Sequence, residues 1–316
     1  MPTQSPQKKK ILVTGAGGQL GRELRAATDP SLYHAAPSSA FPAAATVFSP
    51  IYNCDFTFAD RNDLPIEDPA RIHSFFSANR PDVCINCAAY TAVDKAETEK
   101  ELAFRINGEA VGTLAAACHT TGTRLLHIST DYVFDGNSAT ALKEGDPTGP
   151  VNIYGASKLR GEQLAMEQHA KGTAIFRTSW VYSEFGNNFV RTMIRLMREK
   201  PSISVIDDQI GSPTYAADLA AVLLDIAAGE VFVPGIYHYS NEGRISWYEF
   251  ALAIKTLTGS PCPVQPIPTT QYPTPAKRPH YSLMDKSLIR DTYGITIPDW
   301  KESLATCITR LIPPAS

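Results

Sequence analysis

No apolar run in this 316-residue chain approaches the ~18 residues that a membrane-spanning helix needs, so the sequence offers no spanning segment. A basic surplus is also missing. Lys+Arg 29 against Asp+Glu 32 leaves a net charge of −3, which argues against nucleic acid or an anionic membrane as partner. Cysteine is scarce: six residues, at 54, 84, 87, 118, 262 and 307, are too scattered for a disulfide framework. Cys84 and Cys87 have the spacing of zinc and redox sites. They lie in the strand-like stretch 82–89 with no second Cys or His pair, which favours a buried structural role. The polar segment Met1–Lys10 has no apolar signal-peptide core, and a cytoplasmic protein is expected. What is present is ample core material, 43% apolar, in a length that suits about two domains at ~150 residues each. Proline is abundant but uneven: nine of 24 precede residue 82, five fall between 82 and 260, and ten follow 260. The proline-poor middle is where regular structure and chemistry are expected.

The β-branched run Ile11–Thr14 is followed by glycines and then by helical periodicity over Gln19–Ala27. Residues 28–50, with four prolines among alanines and serines, read as a surface excursion. Strands are predicted at Asp55–Ala59, Val83–Asn86, Arg124–Ser129 and Ala174–Arg177, and helices at Pro69–Asn79, Glu99–Thr121 and Asn152–Ala170. This alternation predicts a Rossmann-type, doubly wound parallel α/β sheet. The expected dinucleotide-binding core is 1–181, with part of 205–235 returning to it. A smaller C-terminal α/β cap over the substrate takes 182–204 and 236–316. Within the cap, helices are expected at Trp247–Leu257 and Trp300–Leu311, and Pro261–Pro279 reads as a loop.

Between the first strand and first helix lies Thr14–Gly21, a turn holding Gly15, Gly17, Gly18, Gln19, Leu20 and Gly21. A diphosphate needs backbone N–H groups and a helix N-terminus with no Cβ in the way, which this turn supplies. Leu20 stands where the dehydrogenase form G-x-G-x-x-G has its third glycine. The second strand ends at Asp60 and Arg61; a carboxylate there favours a free ribose 2′-hydroxyl and NADH, an arginine a 2′-phosphate and NADPH. A surface ion pair in the turn is the alternative. Tyr154 and Lys158 are four apart on one helical face, and a nearby ammonium favours a phenolate and so lowers the pKa of a proton-transferring tyrosine. Ser129 and Thr130, at the end of a strand, supply hydroxyls to hold a carbonyl oxygen.

Taken together, Thr14–Gly21, Asn86–Asp94, Ser129–Gly136 and Tyr154–Lys158 resemble the extended short-chain dehydrogenase/reductase superfamily. The stretches Phe176–Tyr182, Gly186–Phe189, Asp208–Thr214, Ile245–Trp247 and Ala276–Pro279 narrow the likeness to the dTDP-4-dehydrorhamnose reductases, over about residues 10 to 312. The resemblance implies reduction, with NADPH or NADH, of the 4-keto group of a dTDP-linked 6-deoxyhexose. Tyr154 would protonate the oxygen, Lys158 would hold the nicotinamide ribose and depress the phenol pKa, and Thr130 would hydrogen-bond the reacting oxygen. Asp131 and Trp180 match sugar-contacting positions. Ile66, Ala88, Ala89, Tyr90, Thr91 and Ser129 complete the cofactor side. Leu64-Pro65-Ile66 departs from the family, which often has an acidic residue before the apolar one; Asp63 is the candidate replacement. Some members hold Mg²⁺ at a dimer interface through acidic residues. Glu23 matches one such position, although a solvated helix carboxylate is the favoured reading.

Other residues read more plainly. His127 in an apolar strand is expected to be a core histidine, and Trp247 a core residue whose face could border the sugar. Arg278 fits a nucleotide diphosphate or a structural ion pair equally. Two other functions compete with the reductase. One is a non-catalytic regulatory subunit like the β subunit of methionine adenosyltransferase; the other is a sugar-nucleotide epimerase that retains its cofactor. A homodimer is the expected assembly if there is one.

Overall fold

The computed structural model describes residues 8–29 and 53–312; the excursion expected over 28–50 lies almost entirely outside them. Strands β1 (Lys9–Thr14), β2 (Cys54–Ala59), β3 (Val83–Asn86), β4 (Arg124–Thr130), β5 (Thr173–Thr178) and β6 (Gly235–Tyr239) form one parallel sheet in the order β6-β5-β4-β3-β1-β2. Helix α1 (Gln19–Thr28) and the apolar helix Ala216–Ala228 cover one face. Helices α2 (Pro69–Asn79), α3 (Ala110–Thr121) and α4 (Ile153–His169) cover the other. This is the expected Rossmann architecture, because strands buried on both faces need apolar centres, as Val83–Ile85 and Ala174–Phe176 supply. Strand order reverses at β1, so the carboxyl ends of β1 and β3 flank the crevice where such sheets bind ligands.

Two expectations change. β6 lies in the stretch assigned to the cap from 236 onward, yet it is the edge of the core sheet, paired with β5 from Gly235↔Ala174 to Tyr239↔Thr178. The expected loop Pro261–Pro279 contains a strand, Val264–Ile267, parallel to Ile203–Ile206. Proline is tolerated there because the pair is a two-stranded edge ribbon. A second hydrophobic core, around Tyr182, Val190, Phe250, Trp300 and Leu304, lies on the carboxyl side of the chain. Its helices Phe189–Glu199, Trp247–Leu257 and Trp300–Leu311 start on Asn188, Ser246 and Asp299 respectively, whose side chains accept from helix N–H groups.

Cys84 is fully buried in β3, whereas Cys87, just past the strand, is half-buried and lines the cleft described below. His127 is buried in β4. Its Nδ1 accepts from Asn86, whose Oδ1 accepts from Thr14, so a polar chain ties β1, β3 and β4 beneath the glycine turn. Burial holds His127 neutral, and its Nε2 has no partner.

Candidate active site

A cleft of about 850 Å³ runs along the carboxyl ends of the strands. The glycine turn closes one end. Gly15 has φ +67°, a left-handed conformation that costs a side-chain residue energy, and a Cβ there would lie 2.5 Å from Ala88 N. A Cβ on Gly21 would lie 2.4 Å from the Gly15 carbonyl, so the absent third glycine of the dehydrogenase form is replaced by this later one. Gly18 caps α1 with no side-chain bond to the helix, and the first turn contains no acidic residue. The helix N–H groups and the positive dipole end therefore face the cleft unblocked, which is what a diphosphate requires. The residues fit a dinucleotide.

All but one of the expected cofactor residues line this cleft: Gly15, Gly17, Gly18, Gln19, Leu20, Gly21, Asp60, Arg61, Ile66, Ala88, Ala89, Thr91, Ser129, Tyr154 and Lys158. Tyr90 is the exception. Its hydroxyl donates to Glu99, and its backbone N–H and carbonyl are both held by the Asn107 amide. Asp60 caps its own turn, accepting from the N–H of Asn62 and Asp63, and Arg61 pairs with Glu67 at 2.8 Å. Asp63 accepts from the Asp60 N–H instead of facing the cleft.

The centre of the cleft brings Thr130, Asp131, Tyr154 and Lys158 together from different segments. Asn152 starts α4 by accepting from the Gly155 N–H at 2.7 Å, which sets Tyr154 in the first turn and Lys158 one turn on. Gly155 explains how the helix comes so close: a Cβ there would sit 2.1 Å from the Tyr132 carbonyl. Lys158 donates to the Ile128 carbonyl at 2.6 Å, and burial lowers its pKa to about 8 despite nearby Glu162. Burial, then the negative charge of Asp131, raises the Tyr154 phenol to about 12, and the Thr130 hydroxyl pulls it partly back. The depression expected from Lys158 is therefore not found, because its ammonium is turned to the β4 backbone. The phenol stays protonated at neutral pH, the form a proton donor must have. Asp131 is buried, its Oδ1 accepts from Thr130, and its Oδ2 has no partner. Burial raises its pKa to about 6, with the Ser282 and Thr130 hydroxyls opposing.

Aromatic side chains line the far end. The indoles of Trp180 and Trp247 stack with centroids 3.7 Å apart, so Trp247, read as core, also borders the cleft. Trp180 has φ +49°, a strained position for a bulky residue that costs ~1–3 kcal/mol and persists only where packing enforces it. Gly211 lets the indole lie flat: a Cβ there would be 3.0 Å from the ring. That gives the glycine of the Asp208–Thr214 stretch a packing role.

The support around these groups was not visible in the sequence. Glu162 and Arg177 form an ion pair whose side chains are each 3% exposed, and Ser129 donates to Glu162, which anchors the end of β4. A π-helical turn, Arg105–Glu109, interrupts the expected Glu99–Thr121 helix and rotates Asn107 onto Tyr90 and Ser157. Gln19 at the turn accepts from Asn188 of the second core. Arg278 turns out to be structural, making a two-pronged bond to Asp94 at 2.8 and 3.1 Å. Glu23 overturns the solvated reading: it is 1% exposed, and burial together with a hydrogen bond to Glu184 keeps its carboxyl protonated.

Residues 9–312 match the family described as the RmlD substrate binding domain. A dTDP-4-dehydrorhamnose reductase of Burkholderia thailandensis is 40% identical over 319 residues, covering 96% of this chain and 99% of that protein. The dTDP-4-dehydrorhamnose reductase of Bacillus anthracis, solved in complex with NADP, superposes with a TM-score of 0.85 at 37% identity, covering 96% of this chain and 99% of that one. A Clostridium acetobutylicum structure of the same description gives 0.84 at 38%, with the same coverage of both chains. With its glycine turn, its Tyr154–Lys158 pair and Thr130, Asp131 and Trp180 in one cleft, the chain belongs to the dTDP-4-dehydrorhamnose reductase family.

Proposed function

We propose that the protein reduces the 4-keto group of dTDP-4-dehydro-6-deoxy-L-mannose (dTDP-4-dehydrorhamnose), giving dTDP-L-rhamnose. The observation that carries this reading is the convergence of Tyr154, Lys158, Thr130 and Asp131 between a diphosphate turn and a tryptophan-lined end of one cleft. NADPH or NADH, held by Gly15–Gly21 and the Ala88–Thr91 segment, supplies the hydride. Tyr154 donates its phenolic proton to the C4 oxygen, and Thr130 hydrogen-bonds that oxygen and aligns it. Lys158, with one ammonium proton on the Ile128 carbonyl, has two left to donate to the ribose. Asp131 accepts from sugar hydroxyls through its unpartnered oxygen, and Trp180 packs on the sugar ring. Arg61, exposed at the rim, would meet a 2′-phosphate and Asp60 a free 2′-hydroxyl.

The second hydrophobic core serves as the substrate cap, with the core sheet extended by β6. Beyond the sugar nucleotide we propose a cytoplasmic homodimer without nucleic acid. No described helix is long and apolar enough to cross a membrane. Size-exclusion chromatography tests the assembly, and elution as a monomer counts against the dimer.

The decisive assay mixes the protein with NADPH or NADH and a dTDP-4-keto-6-deoxy-L-sugar and follows the absorbance of the reduced nicotinamide. Steady oxidation supports the reductase. A regulatory subunit would give none, and an epimerase that recycles its cofactor would show no net consumption. Tyr154→Phe should lower kcat ~10²–10⁴-fold while cofactor binding persists; full turnover by the variant would refute the assigned donor.

A further inference from the structure

The family resemblance implies Mg²⁺ held by acidic residues at a subunit interface in some members, with Glu23 at one matching position. The surroundings of Glu23 do not suit that ion. Mg²⁺ requires near-octahedral oxygen donors and sheds its waters reluctantly, so its sites stay open to solvent or to a partner. Glu23, on α1, is sealed inside the protomer at 1% exposure. Its carboxyl lies beside the side chains of Glu184 and Ser183.

A positive charge is already in place. Arg310, from the C-terminal helix Trp300–Leu311, puts Nη1 2.7 Å from the Tyr215 hydroxyl and 3.4 Å from Glu184 Oε1. Tyr215 in turn donates to that same oxygen. A second cation beside Glu184 would meet the guanidinium, which lies within the radius where like charges repel strongly away from bulk water. We propose that Arg310 is the built-in cation of this cluster, so that the joint between α1, the 183–188 segment and the C-terminal helix is metal-independent in this chain.

The test uses the full-length, ligand-free protein after chelator treatment, so that no cofactor or sugar diphosphate binds the metal. MgCl₂ is titrated while Tm, calorimetric heat and elution volume are recorded. The expected result is no saturable heat, no change in elution and a Tm constant within about 1 °C. A specific site filled far above its Kd would raise Tm by roughly 5 °C in a chain of this size, and that rise, saturable heat or a Mg²⁺-driven dimer would overturn the proposal. Arg310→Met should lower Tm, and Mg²⁺ should not restore it; restoration would place the metal at this cluster. Glu23→Gln keeps a hydrogen bond to Glu184 without adding charge, and its Tm should stay near that of the parent. A loss as large as that of Arg310→Met would overturn the proposal. If Arg310→Met does not fold, the parent titration and Glu23→Gln remain decisive.

Discussion

Replacing Asp131 by asparagine should make the protein more stable at neutral pH and a worse enzyme. Asp131 is 2% exposed, and burial raises its pKa from the ordinary 3.8 to about 6. A shift of about two units corresponds to roughly 3 kcal/mol between protonation states. Because the folded-state value is the higher one, the stabilisation tied to the proton is complete below about 3.8 and is lost as pH rises through about 6. Above that range the folded protein carries a buried carboxylate at that cost. Asparagine does not titrate, and its Oδ1 can keep the hydroxyl bond from Thr130. Its amide would take the place of the unpartnered Oδ2, at a cost of ~1 kcal/mol or more. The net expectation is a gain of about 2 kcal/mol near pH 7.5 that shrinks and reverses toward about pH 4. Urea denaturation of the ligand-free protein, followed by tryptophan fluorescence across that range, measures it directly. In the same variant kcat/KM should fall ~10- to 100-fold, the worth of a hydrogen bond to a charged acceptor. A variant no more stable than its parent at pH 7.5, or a difference flat with pH, would refute the burial argument.

Three other expectations follow from the geometry. Arg177→Met leaves the Glu162 carboxylate buried without its guanidinium partner and should cost ~3–5 kcal/mol in urea unfolding; a loss below about 1 kcal/mol would show that the pair is not structural. Gly21→Ala forces a Cβ against the Gly15 carbonyl and should weaken dinucleotide binding at least ~10-fold by fluorescence titration. Gly17, where a Cβ would meet nothing within 4 Å, is the control: Gly17→Ala should leave the unfolding midpoint of the ligand-free protein unchanged, and a clear drop would mean that the turn is packed differently.

Much of this molecule was readable because its signals are local. Pro69–Asn79, Val83–Asn86, Trp247–Leu257 and Trp300–Leu311 were predicted with their observed bounds, since helix start signals and apolar runs act within a few residues. The glycine turn and the Tyr154–Lys158 pair were legible for the same reason: spacing along one strand–turn–helix or one helical face already places the atoms. Thr130, Asp131 and Trp180 were reached through motif resemblance, not through any local rule.

What the sequence alone determined is the order of strands and helices, the parallel sheet they imply, and the chemical groups available to the cleft. Tertiary structure decided which of those groups face which. Asp94 lies 184 positions from Arg278, and only the fold could make them an ion pair rather than a diphosphate clamp. Glu23 reads as a surface carboxylate along α1 until Glu184 and Arg310, far away in sequence, enclose it. The phenol of Tyr154 looked set for a lowered pKa by the lysine one turn away, and burial beside Asp131 raised it. Pairing of distant charges and loss of water around a side chain depend on neighbours brought from elsewhere in the chain, and no window of sequence contains them.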